Sequence, residues 1–311
     1  MLMRGGGKAR CDLIVKYTTQ FYEKDYFVQF KGYIPPEGYS HMSPLPTAVA
    51  LSDAILATGS ERFSDALRQW LNATCSFDNF AIIAFFQTSS PQVLATHARD
   101  SRVFERIDSH YVKGAYLLDP FFRLHQKGAA DGLYRLADVA PDQFQRNEYF
   151  KSYYANTTLT DELAFFVGLA PGSSITVCIG RDATTASRFS NRDHNAAKQV
   201  APVVNALVRK NWSGLRPPHG DKPGDIVDHL RHRLSAEQGI SLSPRQAEVA
   251  LLILQGHSSI SIGLTLGISP QTVKVLRKQL YRKSGISSQG ELYYLIAPFL
   301  SEHGQVARKT T

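Results

Sequence analysis

Leu242-Ser-Pro-Arg-Gln-Ala-Glu-Val249 and, further on, Gly267-Ile-Ser-Pro-Gln-Thr-Val-Lys-Val-Leu-Arg-Lys-Gln-Leu-Tyr-Arg-Lys283 decide the fold of the C-terminal part of this chain. Serine followed by proline, at Ser243-Pro244 and again at Ser269-Pro270, supplies a side-chain oxygen for orphan backbone N–H groups and a first helical residue whose own N–H is dispensable. Gln246 is placed to complete a capping box with Ser243, and Val249, Leu252 and Ile253 form an apolar stripe at helical period before Gly256 closes the helix. A second short helix is expected over Ser259–Leu266, with Gly267 giving the permissive φ for a sharp turn into the third. Ser288 with Glu291 makes another capping box, and Leu292, Leu295, Ile296 and Phe299 give a fourth helix its apolar face.

On the third helix Val273, Leu276 and Leu280 fall on one stripe, so Gln271, Lys274, Val275, Lys278 and Arg282 project from the other side. From Ser235 onward Arg245, Lys274, Arg277, Lys278, Arg282, Lys283, Arg308 and Lys309 stand against Glu237, Glu248, Glu291 and Glu302. Such a cluster is the footprint of a polyanion binder, whose sequence-independent affinity comes from phosphate neutralisation and counterion release. A generic helical bundle with a solvated basic face has no need of three serine-capped helices at this glycine-turn spacing.

In order and spacing, Leu-Ser-Pro-Arg, Glu248-Val249, Gly256, Leu266-Gly267-Ile268-Ser269, Thr272-Val273-Lys274, Tyr281-Arg282-Lys283 and Glu291-Leu292 resemble the DNA-binding domain of LuxR-type transcriptional regulators. The resemblance implies a four-helix helix-turn-helix domain on a double-stranded DNA operator. Lys274, Lys278, Gln271 and Val275 are assigned to base edges, and Thr272, Arg277, Arg282 and Lys283 to phosphates. A homodimer is expected, because one short helix reads too few base pairs, and RNA polymerase is a candidate partner. Gln246, Ser261, Gly263, Leu276 and Ser284 depart from the family pattern, and Gly263 is expected to cost about 1 kcal/mol against alanine in a helix interior.

The 311 residues suffice for two domains, with a formal net charge of +8 and a pI near 9.3. Three scattered cysteines, Cys11, Cys75 and Cys178, suggest a reducing compartment and no metal cluster. The longest apolar run, near Phe80–Phe86, is too short to span a bilayer and no leader is visible, so the expectation is a cytoplasmic protein with no membrane partner.

Composition divides the chain into a flexible tail over residues 1–43, an α+β domain over 44–212, a Pro/Gly-rich linker over 213–225 and the DNA reader over 226–311. Within the second part, helices are expected to Ala57 and over Arg62–Asn72, then strands Asn79–Gln87 and Gln92–His97. Further helices are expected over Ser101–Gly114, from Asp119-Pro120 to His125, and near Gln145–Ala155, with Gly128–Gly132 as a break. Strands Leu163–Leu169 and Ser174–Gly180 and a helix Arg192–Lys210 complete it. An antiparallel sheet flanked by helices indicates an α+β sensor of the GAF or PAS kind.

Tyr111-Val-Lys-Gly-Ala-Tyr116-Leu-Leu-Asp119-Pro120-Phe121 is partly similar to the tyrosine, aspartate and proline stretch of acyl-homoserine-lactone-binding domains in the same family. That similarity implies a small-molecule effector, with Asp119 accepting a ligand amide proton and Tyr111, Tyr116, Tyr134 and Trp70 lining a pocket. Asp119 also reads as an ordinary helix cap, and the aromatics also read as core. No catalytic constellation, Walker loop, paired Cys-x-x-Cys or phosphoreceiver aspartate cluster occurs, so no enzyme activity, cofactor or metal is expected. Two other readings stay open: a ligand-independent regulator whose N-terminal domain only dimerises, and an enzyme with an auxiliary helix-turn-helix.

Overall fold

Strand β1 (Asn79–Phe86) is buried along its whole length, as an uncharged run of isoleucine, alanine and phenylalanine after Asn79 requires when both faces of a sheet are covered. The structure, a computed structural model, describes residues 46–87, 89–217 and 226–303. The expected tail and residues 218–225 of the expected linker lie outside the described residues. β1 joins β2 (Gln92–Ala98), β3 (Gly132–Arg135), β4 (Leu159–Ala170) and β5 (Ser173–Asp182) in an antiparallel sheet of order β2-β1-β5-β4-β3. Gly172, at φ +75°, makes the tight turn between β4 and β5.

Strand alternation divides the side chains between two cores. Phe80, Ile82, Ala84, Phe86, Leu163, Phe165, Val177 and Ile179 face helices α1 (Pro46–Leu56), α2 (Phe63–Thr74) and α6 (Asn191–Asn211). Ala81, Ile83, Phe85, Ala164, Phe166 and Cys178 face the other way, toward the irregular segments and the C-terminal helices. The architecture is α+β, with helices on both faces of one sheet.

Two expected helices are broken. Ser101–Gly114 forms a 3₁₀ turn, Ser101–Val103, and a single π turn, Ile107–Tyr111, before Gly114 takes φ +156° and a second 3₁₀ turn follows over Ala115–Leu118. The wide π turn turns Ile107 and Tyr111 inward together, and only glycine tolerates the backbone that ends the segment. The Gln145–Ala155 stretch splits because Asn147 starts a fresh helix, its Oδ1 accepting from Phe150 N at 2.7 Å. The resulting α5 (Glu148–Ser152) lies between 3₁₀ turns Phe144–Arg146 and Tyr154–Thr157. Helix α3 (Pro120–Gln126) starts at Asp119-Pro120 as expected, and the short α4 (Leu136–Val139) follows β3. β3 itself, beginning at Gly132 where the sequence suggested only a break, is too short for its alternation to stand out and is held by pairing to β4.

After α7 (Ile226–Gln238) the C-terminal helices are α8 (Pro244–Leu254), α9 (Ser259–Leu266), α10 (Pro270–Ser284) and α11 (Gln289–His303). The Ser243/Gln246 capping box is present in both directions, and Ser269 Oγ accepts from Thr272 N at 3.0 Å. No helix among the described residues is long and apolar enough to cross a membrane.

Candidate DNA interface and ligand cavity

The α9–α10 turn is tighter than a glycine-for-alanine cost suggests. Gly267 caps α9 at φ +65°, and Ile268 N returns to Gly263 O at 3.0 Å, folding the turn back onto its own helix. A Cβ on Gly263 would sit 2.7 Å from Ile268 O, so glycine there makes room for the close approach of the turn. Val273 and Leu280 are fully buried and Leu276 partly, which anchors α10 and leaves Gln271, Thr272, Lys274, Val275, Lys278 and Arg282 exposed on its outer side. Two of the expected cationic phosphate ligands have neighbours within the chain. The Arg277 guanidinium lies 5.2 Å over the Tyr281 ring, and Lys283 Nζ donates to Ser241 O and Gln246 Oε1 at 3.0 and 3.1 Å.

On the second face of the sheet, a cavity of about 50 Å³ lies between Ala81, Ile83 and Phe85 of β1, Glu162 of β4, Thr176 and Cys178 of β5, and the irregular segments carrying Tyr111, Asp119, Tyr153 and Tyr154. Asp119 does two jobs at once. Its Oδ1 accepts from Phe121 N at 2.8 Å, capping α3, while Oδ2 accepts from the Tyr111 hydroxyl at 2.5 Å. Burial pushes the Asp119 carboxyl up to about 6 despite both donors. Glu162 accepts a short hydrogen bond from the Tyr154 hydroxyl, and burial, reinforced by the nearby Asp119 charge, pushes it up to about 7.

Of the five residues expected at a ligand, Tyr111 and Asp119 line this cavity. Trp70 does not: the amphipathic face of α2 sets it with Phe63, Leu67 and Leu71 in the opposite core, so the sheet stands between it and the cavity. Tyr116 packs edge-on to Phe122, with centroids 4.8 Å apart, behind Tyr111. Tyr134 is half-buried and donates to Ala130 O at 2.7 Å, away from the cavity. Glu162 was missed, although period-two reading of β4 places it on one face with Ala164 and Phe166, where a lone carboxylate is the informative exception.

The two parts of the chain meet at the end of α8. Asn147 Nδ2 donates to Leu254 O at 3.1 Å and Gln143 N to Gly256 O at 2.8 Å, so the α5 region satisfies carbonyls that the helix end leaves open. Gly256, at φ +95°, allows the approach, since a Cβ there would lie 2.8 Å from Phe144 Cα. Gln255 accepts from Arg123 Nη1 and donates to Leu117 O, each at 3.0 Å, and Asp142 Oδ1 accepts from Ser258 N at 2.9 Å. The His257 ring sits against Arg123, and burial with that neighbouring charge depresses it to about 4. None of these contacts involves the outer side of α10.

Residues 240–296 match the family model described as bacterial regulatory proteins, luxR family. The chain is 28% identical over 182 residues to an HTH-type transcriptional regulator in the exeN 3′ region of Aeromonas salmonicida, a match that covers 57% of this chain and 92% of the relative. Among solved structures, the VqsR LBD domain from Pseudomonas aeruginosa is 27% identical with a TM-score of 0.47, covering 54% of this chain and 98% of that one. Escherichia coli SdiA is 12% identical with a TM-score of 0.38, covering 84% and 97%.

Proposed function

We propose, on the premise that residues 240–296 are a LuxR-family helix-turn-helix domain and that the chain is therefore a DNA-binding transcription regulator, that a small molecule held in the Asp119–Glu162 cavity controls its operator binding. The observation that carries this reading is the position of the cavity. Its wall residue Asp119 caps α3, α3 carries Arg123, and Arg123 with the Leu117 carbonyl holds Gln255 of the DNA reader. A ligand that favours one arrangement of this wall changes the packing of the reader by direct contact, without a rigid linker.

In this reading Lys274 and Lys278, flanked by Gln271 and Val275, meet base edges in the major groove, while Thr272, Arg277 and Arg282 meet phosphates. Lys283 contributes less to phosphate binding because its ammonium is directed to Ser241 and Gln246. The regulator acts in the cytoplasm as a homodimer on a two-fold operator, with RNA polymerase as its downstream partner. The two readers of such a dimer double the contacts that a single α10 makes, which genomic specificity requires.

The test is operator affinity of the full chain, measured by fluorescence anisotropy with and without a small-molecule extract of the cells that carry it. Wild type shifts its affinity, and Ala81→Met, which fills the cavity, removes the shift while retaining DNA binding. Equal affinity for wild type in both conditions leaves a regulator whose N-terminal part serves dimerisation alone.

A further inference from the structure

The cavity holds two carboxyls and no counter-charge. Asp119 and Glu162 both line it, and no lysine, arginine or histidine is among the described residues that do. Thr176, 1% exposed and also in the wall, has a hydroxyl with no hydrogen-bond partner among the described residues. Apart from Thr157 and Cys178 the remaining lining is aromatic and aliphatic, including the rings of Tyr111, Tyr153, Tyr154 and Phe104.

We propose that this cavity takes a small organic cation, a primary ammonium on a short alkyl chain, with Asp119 and Glu162 as its counter-charges and Thr176 Oγ1 as a further acceptor. The assignment rests on the ligand-controlled reading above and specifies the chemistry of that same site. An ammonium has three N–H donors and no acceptor, which matches two carboxylates and an unpaired hydroxyl. Each carboxylate already accepts from a tyrosine hydroxyl, Tyr111 on Asp119 and Tyr154 on Glu162, and Asp119 also from Phe121 N, yet an ionised carboxylate has about four lone-pair sites and retains capacity beyond these bonds. The wall is rich in aromatic rings, whose π faces attract a cation and repel an anion. Without a cation, burial holds both carboxyls toward their neutral forms, the signature of acidic groups whose charge lacks a partner.

Size narrows the class further. The cavity, at about 50 Å³, is about a third of the ~150 Å³ space known to admit benzene. A short alkylammonium comes nearer to that size than a long acyl amide, which requires a larger rearrangement of the wall.

The experiment titrates the full chain at neutral pH, by thermal shift and by calorimetry, with n-propylammonium chloride, with n-propanol as the uncharged analogue and with N-butanoyl homoserine lactone. Propylammonium raises the melting temperature and binds at least about tenfold more tightly than propanol, as a charge-assisted contact requires. Glu162→Gln removes that preference. Thr176→Val, which keeps the side-chain shape and deletes the acceptor, weakens propylammonium binding, and it carries the test should Glu162→Gln fail to fold. Equal binding of propylammonium and propanol, or an undiminished preference in Glu162→Gln or Thr176→Val, overturns the assignment. Binding of the lactone but not of propylammonium overturns the cation and leaves ligand control standing. Binding of neither probe also overturns the cation, and ligand control is then judged by the Ala81→Met experiment alone.

Discussion

The side-chain amide of Gln255, at the end of α8, donates to the backbone carbonyl of Leu117 at 3.0 Å, two residues before Asp119 in the cavity wall. The same side chain accepts from Arg123, so one buried carboxamide bridges the segment before Asp119, the helix that Asp119 caps, and the DNA reader. Gln255→Ala removes both bonds and leaves buried polar groups unpaired, which costs about 1 to 3 kcal/mol. Urea denaturation of the full chain measures the loss. An unchanged midpoint would show that this bridge adds nothing to the docking of the two parts.

DNA affinity is expected to fall by about 1 to 3 kcal/mol in Lys274→Ala and in Lys278→Ala, with relaxed preference at one operator position for each. Arg282→Ala weakens binding to all sequences alike and lowers the salt slope by about one. Lys283→Ala behaves differently: it loses less DNA affinity and costs of order 1 kcal/mol of stability, because its bonds to Ser241 and Gln246 tie α10 to the start of α8. Anisotropy titrations at several salt concentrations distinguish the groups, and equal losses in Lys283→Ala and Lys278→Ala would contradict the separation.

Helix propensity alone makes Gly263→Ala stabilising by about 1 kcal/mol. The 2.7 Å approach of Ile268 O to the new methyl reverses the sign, since the turn must shift and overpacking of this kind costs about 1 to 3 kcal/mol. A higher denaturation midpoint for the alanine variant would refute the tight-turn account.

Stability should carry a pH signature from the cavity. Asp119 and Glu162 stand at about 6 and about 7 in the folded chain, against ordinary values of 3.8 and 4.5, so folding takes up protons. Their contribution is complete below about pH 4 and is lost as pH rises through about 6 to 7. His125 and His257, both depressed to about 4 by burial, act in the opposite direction: their contribution is present above the ordinary 6.5 and is lost as pH falls toward 4. Comparison with Glu162→Gln isolates the carboxyl. From about pH 5 to about pH 8 wild type loses of order 1 to 3 kcal/mol relative to the variant, at about 1.4 kcal/mol for each pH unit over which the two states differ by a proton. A difference that stays constant across this range would show that Glu162 exchanges no proton on folding.

The C-terminal helices were legible because their signals are local. A serine cap, the proline after it and a glycine in the turn each act within one helical turn, as Ser243 with Gln246 and Gly267 after Leu266 demonstrate. Strand β1 was legible too, since an apolar run of that length has one place in a sheet. The Ser101–Gly114 and Gln145–Ala155 segments were not. Their apolar spacing suits a helix, but the first breaks into separate 3₁₀ and π turns before Gly114 ends it, the Asn147 cap starts a fresh helix in the second, and the turns that result are held by side chains packed from the sheet.

By itself the sequence determined that a helix-turn-helix with a basic outer face ends this chain, because hydrogen-bond capping and helical period are short-range physics. It also marked Asp119 as the cap of the helix that starts at Pro120, and the partial resemblance of this stretch to acyl-homoserine-lactone-binding domains implied Tyr111 and Asp119 as ligand residues. Only the tertiary structure decided that Trp70 lies across the sheet, that Glu162 and Thr176 share a cavity with Asp119, and that α8 ends against Leu117 and Asn147. These are relations between residues far apart in the chain, set by which face of a strand is turned inward and by which neighbour satisfies an open carbonyl, and neither is encoded in any one stretch.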